Sequence, residues 1–426
     1  MKLLQIERPS ASLPAELFAS SDSAGYRQQR YSNELVFYVH IPFCTSKCHF
    51  CMWVSRVPAG ELVHNSHQYE AYVQSVIKEI EGHAARGLYR GRKVRSIYFG
   101  GGTPSVLSGD QLVRILKTIE ANVEKSAEFE AITVEVSPQT LDLEKMCQLR
   151  EAGFNRISMG VQLFSDRLLK SQARGHTVAQ AIDSYYLLRQ AGFNNINLDF
   201  MLGLPDTTTQ EWEETIQTAL QLYSEHLSLY IFVPAASTVS GKQIQKGITS
   251  LGDDETLVEQ HLWAAQQLTS HGYLQYTQQL FEREGKRAFT DESCFRMTEE
   301  LIGHGAGAYS TINGIFFGHS NNLNRYMSKP TQFDYSFHLA TSAATLRSQL
   351  SLMMFTPPGI DYEIFKHRIG QDFATVRRNL PEIDAYATQL ENSYGVISDE
   401  HGMRYPNFEI ATRAAVVQRL RKGKNL

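Results

Sequence analysis

The chain has 426 residues, 42% of them hydrophobic, and a formal net charge of −4. That is enough apolar material for one large core and a smaller one beside it, and the dispersed lysines and arginines leave no electrostatic footprint for nucleic acid. No run of roughly eighteen apolar residues is present to span a bilayer, and the opening Met1-Lys2-Leu3-Leu4-Gln5-Ile6-Glu7-Arg8-Pro9 breaks into charge and proline before a secretory core forms, so a cytoplasmic protein with a small-molecule or protein partner is expected.

From residue 35 onward, short β-branched or apolar runs alternate with longer segments of helical period, the pattern of a parallel sheet. Strands are predicted at 35–40, 94–99, 131–136, 156–159, 195–200 and 226–233, and helices between them at 68–84, 111–123, 143–152, 178–191 and 209–222. The phrase Ala-Gly-Phe-Asn occurs at 152–155 and again at 191–194, each time just before a strand. Glycine is the expected helix stop there, so the phrase marks two copies of one helix-to-strand joint. Six such units form either an open twisted sheet or three-quarters of an eight-stranded barrel, and in both forms ligands collect at the carboxyl ends of the strands.

Those ends carry the chemistry. After the first strand come Cys44, Cys48 and Cys51, a Cys-x3-Cys-x2-Cys triplet and three of the five cysteines in the chain. Few cysteines, clustered in this way, suit a reducing compartment and a shared metal better than a disulfide framework. Soft thiolates select zinc or iron-sulfur iron: zinc would need a fourth ligand, for which His49 is in range, whereas a four-iron cluster on three thiolates would leave one iron open. Gly100-Gly101-Gly102-Thr103-Pro104 follows the second strand, either a tight turn or a place where backbone amides approach a ligand. Glu135 and Asp199 lie near the ends of apolar strands, where a carboxylate needs a ligand, a cap or an ion pair. Arg174 precedes a helix, where it is either a solvated side chain or a ligand contact.

The segment Tyr38-Val39-His40-Ile41-Pro42-Phe43-Cys44, with the triplet and the glycine run, resembles the radical S-adenosylmethionine (SAM) enzymes built like oxygen-independent coproporphyrinogen III oxidase. The resemblance implies an α/β fold, a partial (β/α)6 barrel with a small mostly helical C-terminal domain. It implies a 4Fe-4S cluster on Cys44, Cys48 and Cys51 whose open iron takes SAM; one electron then cleaves the sulfonium, and a 5′-deoxyadenosyl radical abstracts hydrogen from a substrate. Tyr38, Gly101 and Glu135 are assigned by it to the cluster-bound SAM, with Tyr309 nearby, and Phe50, Gly102, Thr103, Gln162, Arg174, Asp199 and the backbone of Val233 to a second SAM. A reductase, flavodoxin or ferredoxin is the implied electron donor and a small molecule the substrate. The expected organisation is an N-terminal extension at 1–33, the partial barrel at 34–235, a barrel extension at 236–345 containing the second glycine-rich loop at 301–310, and the C-terminal helical domain at 346–426.

Departures from the resemblance narrow the activity. Cys51 is followed by Met52-Trp53-Val54, without the further cysteine the oxidase carries, and Thr290-Asp291-Glu292-Ser293-Cys294-Phe295-Arg296 stands where related heme chaperones have a His-Asn-x-x-Tyr-Trp motif. The remaining branch is the class C methyltransferases and cyclopropanases, which pass a methyl or methylene group from the second SAM to an sp² carbon. Some variants need a base, for which His40, Tyr309, His49 and His304 are candidates by placement, each open to a structural role instead. Decarboxylation of the oxidase type and heme carriage are the alternatives. The aromatic-rich stretch 316–337 and the region 237–276 are expected to shape the substrate pocket.

Overall fold

The computed structural model describes residues 34–52, 56–57, 67–125, 129–283, 285–286, 299–357, 359–393 and 395–423. The expected N-terminal extension and the 290–296 segment therefore lie outside the described residues. Strands β1 (Glu34–Ile41), β2 (Lys93–Gly101), β3 (Glu124–Lys125), β4 (Ala131–Val136), β5 (Arg156–Gln162), β6 (Ile196–Leu202) and β7 (His226–Ile231) alternate with helices, among them α1 (His67–Ala85), α2 (Gly109–Asn122), α3 (Leu143–Ala152), α4 (Asp166–Ser171), α5 (Val178–Gln190) and α6 (Thr209–Leu222). β1, β2, β4, β5, β6 and β7 are neighbours in that order and all parallel, giving the six-unit partial barrel. The expected last strand stops two residues early, at Ile231; the bond from Phe232 N to Leu202 O closes the Leu202–Ile231 pair, the last of its ladder with β6. Val233 thus sits in the connection beyond the sheet.

Local chemistry sets the helix ends. Ser108, Thr177 and Thr208 each begin a helix with a capping box, accepting from the backbone three residues on, while Gln111, Gln180 and Glu211 reach back. Gly153 and Gly192 adopt positive φ after α3 and α5, and Phe154 N and Phe193 N donate back to Leu149 O and Leu188 O, a Schellman closure at both Ala-Gly-Phe-Asn joints.

The strands do not read as uniformly apolar because their two faces differ. Phe37, Val39, Phe99, Val134, Ile157, Leu198 and Leu229 are fully buried in one hydrophobic cluster with helix residues such as Val76, Ile115, Leu149 and Trp212. Burial of each such side chain stabilises by about 1.5–3 kcal/mol. The register puts Tyr38, Tyr98, Thr133 and Arg156 in one row of the opposite face, Glu135, Ser158, Asn197 and His226 in the next, and Gly160, Asp199 and Ser228 above them. This concave face is polar, and its upper row opens at the carboxyl ends of the strands.

Beyond β7 the sheet continues on both sides. β8 (Leu274–Gln275) and β9 (Leu280–Glu282) add antiparallel to β7. On the other edge β10 (Glu300–His304), inside the expected glycine-rich loop, pairs parallel to β1, followed by antiparallel β11 (Tyr309–Ile312), β12 (Ile315–Gly318) and β13 (Tyr335–His338). The sheet path is open, with β13 and β8 at its two ends. A second cluster, containing Leu339, Leu350, Phe365 and Leu390, gathers the later helices around a small sheet of β14 (Ile360–Asp361), β15 (Ile397–Ser398) and β16 (Gly402–Arg404). Among the described residues, no helix is long and apolar enough to cross a membrane.

Candidate active site

The cysteine loop leaves β1 and is laced to its neighbours by backbone bonds. Cys44 N donates to Arg56 O (2.9 Å), Thr103 N to Phe43 O (2.7 Å), Gly102 N to Ile41 O (2.8 Å) and His49 N to Gln172 O (3.0 Å). Cys44, Cys48 and Cys51 are half-buried thiols outside any disulfide. Two side chains donate to the sulfurs: Thr103 Oγ1 to Cys44 Sγ (3.5 Å) and Arg174 Nη1 to Cys48 Sγ (3.4 Å). Both side chains thus direct donors at the sulfurs of the triplet. Three half-buried thiols with such donors fit an iron-sulfur cluster. His49, the possible zinc ligand, instead donates from Nδ1 to Ser171 O (2.9 Å), which fixes its ring to α4.

Glu135 is held at the edge of this loop. Gly101 N donates to its Oε2 (3.0 Å) and Tyr98 OH to its Oε1 (2.9 Å), orienting a carboxylate that retains lone pairs for a cationic ligand. Gly101 has φ +110°, and a Cβ there would lie 2.4 Å from His40 Cε1, so this glycine is required both by its backbone and by the ring against it. His40 is nearly buried, and its Nδ1 is 2.9 Å from Tyr38 OH. Behind it, Tyr72 OH donates to His40 O (2.6 Å) and accepts from Ala306 N (3.0 Å), which connects β1 to the glycine loop after β10.

A second constellation lies along β5 and β6. The register between them slips between Gly160 and Gln162, and Gln162 takes φ +75°. This irregularity re-aims the glutamine, the use to which bulges near functional sites are put. A Cβ on Gly160 would stand 3.1 Å from Gln162 Nε2 and 3.4 Å from Arg174 Nη2, and Arg174 also donates to Gly160 O. Asp199 accepts from Ser158 (2.9 Å) and from Asn197 (2.8 Å). Burial pushes the Asp199 carboxyl above its ordinary value against these bonds. Below it, His226 bridges Asn197 (2.6 Å) and Tyr276 (2.7 Å), and burial with the nearby Arg156 charge keeps that imidazole neutral well below its usual pKa. His176, two residues after Arg174, is likewise pushed down to about 4 by burial and by the guanidinium.

The remaining sequence candidates separate. Phe50 is almost buried in the main hydrophobic cluster beside Cys48 and Cys51. Tyr309 is 37% exposed and stacks on Phe316 (5.1 Å), which stacks in turn on Tyr335 (5.9 Å) and packs on Phe337 (5.4 Å), so these four form one face over β11 to β13, whereas Phe317, Tyr326 and Phe333 of the same stretch are buried in the main core. His304 is not at the site. On β10 it pairs with Val39, an apolar-face residue, and it is fully buried against Phe37 (4.3 Å) with Nε2 bonded to Tyr89 OH (2.7 Å). Burial holds its pKa at about 3, too low for a base. Sequence reading missed Tyr98, whose alternation partner Gly100 was its only local signal, and Ser158 and Asn197, which hold Asp199.

Residues 38–219 match the family model of the radical SAM superfamily. The heme chaperone HemW of Bacillus subtilis (strain 168) is 30% identical over 356 residues, covering 81% of this chain and 90% of that protein. The chain belongs to the radical SAM superfamily. A superfamily relative named anaerobilin synthase, from Escherichia coli O157:H7, is 27% identical over 290 residues, covering 68% of this chain and 63% of its own length. Among solved structures, coproporphyrinogen III oxidase (HemN) from Escherichia coli superposes with a TM-score of 0.68 at 22% identity, covering 91% of this chain and 90% of that one, a likeness of fold. Membership of the superfamily implies a 4Fe-4S cluster and SAM, and the thiol triplet after β1 fits that cluster.

Proposed function

We propose that this protein cleaves SAM reductively at a cluster held by Cys44, Cys48 and Cys51, and transfers a methyl or methylene group from a second SAM to an sp² carbon of a small molecule. The observation that supports the reading is two separate polar constellations near one thiol triplet: Glu135 with Tyr98 and Gly101 at one strand end, and Gln162, Arg174 and Asp199 at another. When bound, the cluster would supply the electron for sulfonium cleavage. Glu135 would accept from the amino group of the first SAM, beside Tyr38 and Gly101. Arg174 and Gln162 would orient the second SAM, with Asp199 accepting from a ribose hydroxyl or an ammonium and Phe50, Gly102, Thr103 and the Val233 backbone completing its walls. His40, polarised through its bond to Tyr38, is the base we assign to proton removal, with Tyr309 the alternative on the β11 side. Oxidase-type decarboxylation is disfavoured because Met52 follows the triplet.

A heme-carrier function is the second reading, favoured by the Bacillus subtilis relative and its coverage. Against it, residues 287–298 contain no histidine. Anaerobic reconstitution with iron and sulfide, followed by reduction with methyl-deuterated SAM and extract of the source cells, separates the readings by mass spectrometry of the nucleosides. Joint appearance of 5′-deoxyadenosine and S-adenosylhomocysteine, with deuterium in a new small molecule, is expected. If 5′-deoxyadenosine forms alone, the second SAM is not a carbon donor. A tight heme complex without SAM cleavage would replace the enzyme reading with the carrier. Cys44→Ala, Cys48→Ala and Cys51→Ala should each remove cluster absorbance and SAM cleavage together.

A further inference from the structure

Away from the strand-end site, three metal-competent side chains converge in the core. Glu79 and His83 lie four residues apart on α1, and His319 reaches them from just beyond β12. All three are buried, with side-chain exposures of 0%, 0% and 1%. Glu79 Oε1 is 2.9 Å from His319 Nε2 and 3.6 Å from His83 Nε2, and one ligand atom from each of the three lies within 4.8 Å of the other two. Tetrahedral zinc with bonds of about 2.0–2.1 Å sets its donors about 3.3–3.4 Å apart, so the two Glu79 distances are already near a coordination shell, and the two imidazole nitrogens, within 4.8 Å of one another, would close onto it.

A hydrogen-bond network alone leaves part of the cluster unexplained. Neither ring nitrogen of His83 has a hydrogen-bond partner, nor does Nδ1 of His319. Buried polar atoms are nearly always satisfied, and leaving one orphaned is costly. The carboxylate, by contrast, is firmly aimed: its second oxygen, Oε2, accepts from Gly305 N (3.0 Å) and Tyr326 OH (2.6 Å). The His83 ring is held flat against Phe333 at 4.6 Å, and its Nε2 faces Glu79 Oε1 at 3.6 Å, beyond hydrogen-bond distance.

We propose that Glu79, His83 and His319 form a buried structural site for a divalent metal of the zinc class, independent of the cysteine triplet. The ligand set is one carboxylate oxygen and two imidazole nitrogens without thiolate, a borderline-to-hard donor set that suits zinc better than cluster iron. The metal would tie α1 to the chain after β12. Through Glu79 Oε2 and Gly305 N it would also fix the glycine loop whose Ala306 meets Tyr72 and, through Tyr72, the carbonyl of His40.

The test is elemental analysis of full-length, cluster-reconstituted protein, purified without an affinity-tag histidine tract from zinc-supplemented medium. About one zinc per chain is expected beside the cluster iron. His83→Ala and His319→Ala should each lower zinc at least tenfold while iron is retained, and the Cys44→Ala/Cys48→Ala/Cys51→Ala variant should lose iron while retaining zinc. If the histidine variants do not fold, zinc-edge X-ray absorption of the unmodified protein decides instead. A shell of nitrogen and oxygen at about 2.0–2.1 Å is expected, and a sulfur shell at about 2.3 Å would assign the zinc to the cysteines. Absence of zinc, or zinc unchanged in both histidine variants, overturns the proposal. Iron and zinc are counted separately, so loss of the cluster reading would leave this result standing.

Discussion

Gly101→Ala tests a close approach in the candidate site. The substitution adds a Cβ to a residue at φ +110°, 2.4 Å from His40 Cε1. Forcing a non-glycine residue into left-handed backbone costs about 1–2 kcal/mol. Carbon atoms rest at about 3.5–4.0 Å, so the imidazole must move by about 1 Å or more. In a packed site that displacement costs about 1–3 kcal/mol and breaks a Tyr38–His40 bond worth about 0.5–1.5 kcal/mol. The single variant should therefore lose about 2.5–6.5 kcal/mol. In a His40→Ala background the ring is gone and only the backbone strain, about 1–2 kcal/mol, remains. Urea unfolding of the cluster-free chain, run as a double-mutant cycle, should give a coupling of about 1.5–4.5 kcal/mol. The double variant should regain stability relative to additivity without regaining SAM cleavage. Additivity within about 0.5 kcal/mol would refute the placement of His40 against Gly101.

Tyr98→Phe removes the hydroxyl that donates to Glu135 Oε1 at 2.9 Å; a bond to a charged acceptor is worth about 1.5–3 kcal/mol, so the Kd for SAM, read by equilibrium dialysis, should rise by roughly tenfold or more with little change in fold. Gln162→Gly relieves a positive φ of 75° and should hold or raise stability to denaturant, while the yield of transferred deuterium falls more than that of 5′-deoxyadenosine; equal losses would argue against a separate role for Gln162. Asp199 has a raised carboxyl pKa in the fold, so its contribution to stability is full below about pH 4 and is lost as pH rises through the folded value. Asp199→Asn, which lacks that titration, should gain stability relative to the parent chain as pH increases from 4 to 7, and a gap that narrows over this interval would contradict the shift.

The sequence by itself determined the features written in local chemistry. Six strand-and-helix units, the capping boxes at Ser108, Thr177 and Thr208, the paired glycine stops at Gly153 and Gly192, and the thiol triplet directly after the first strand all follow from residue order over ten or twenty positions. Parallel topology then placed Glu135, Gln162, Arg174 and Asp199 toward the same end as the triplet, because successive strands in such a fold run in one direction. Tertiary structure alone decided what depends on strand register and on contacts between distant segments. The pairing of β10 with β1 brings together residues more than 260 positions apart and turns His304 to the helix-packed face; a shift of one residue would have turned it to the polar face. The same long-range pairing brings His319 to Glu79, 240 residues away in the chain, and the slip between β5 and β6 re-aims Gln162. Hydrophobic periodicity specifies which residues of an element must be buried, but it does not name the element that buries them. That choice belongs to the packing of the whole sheet.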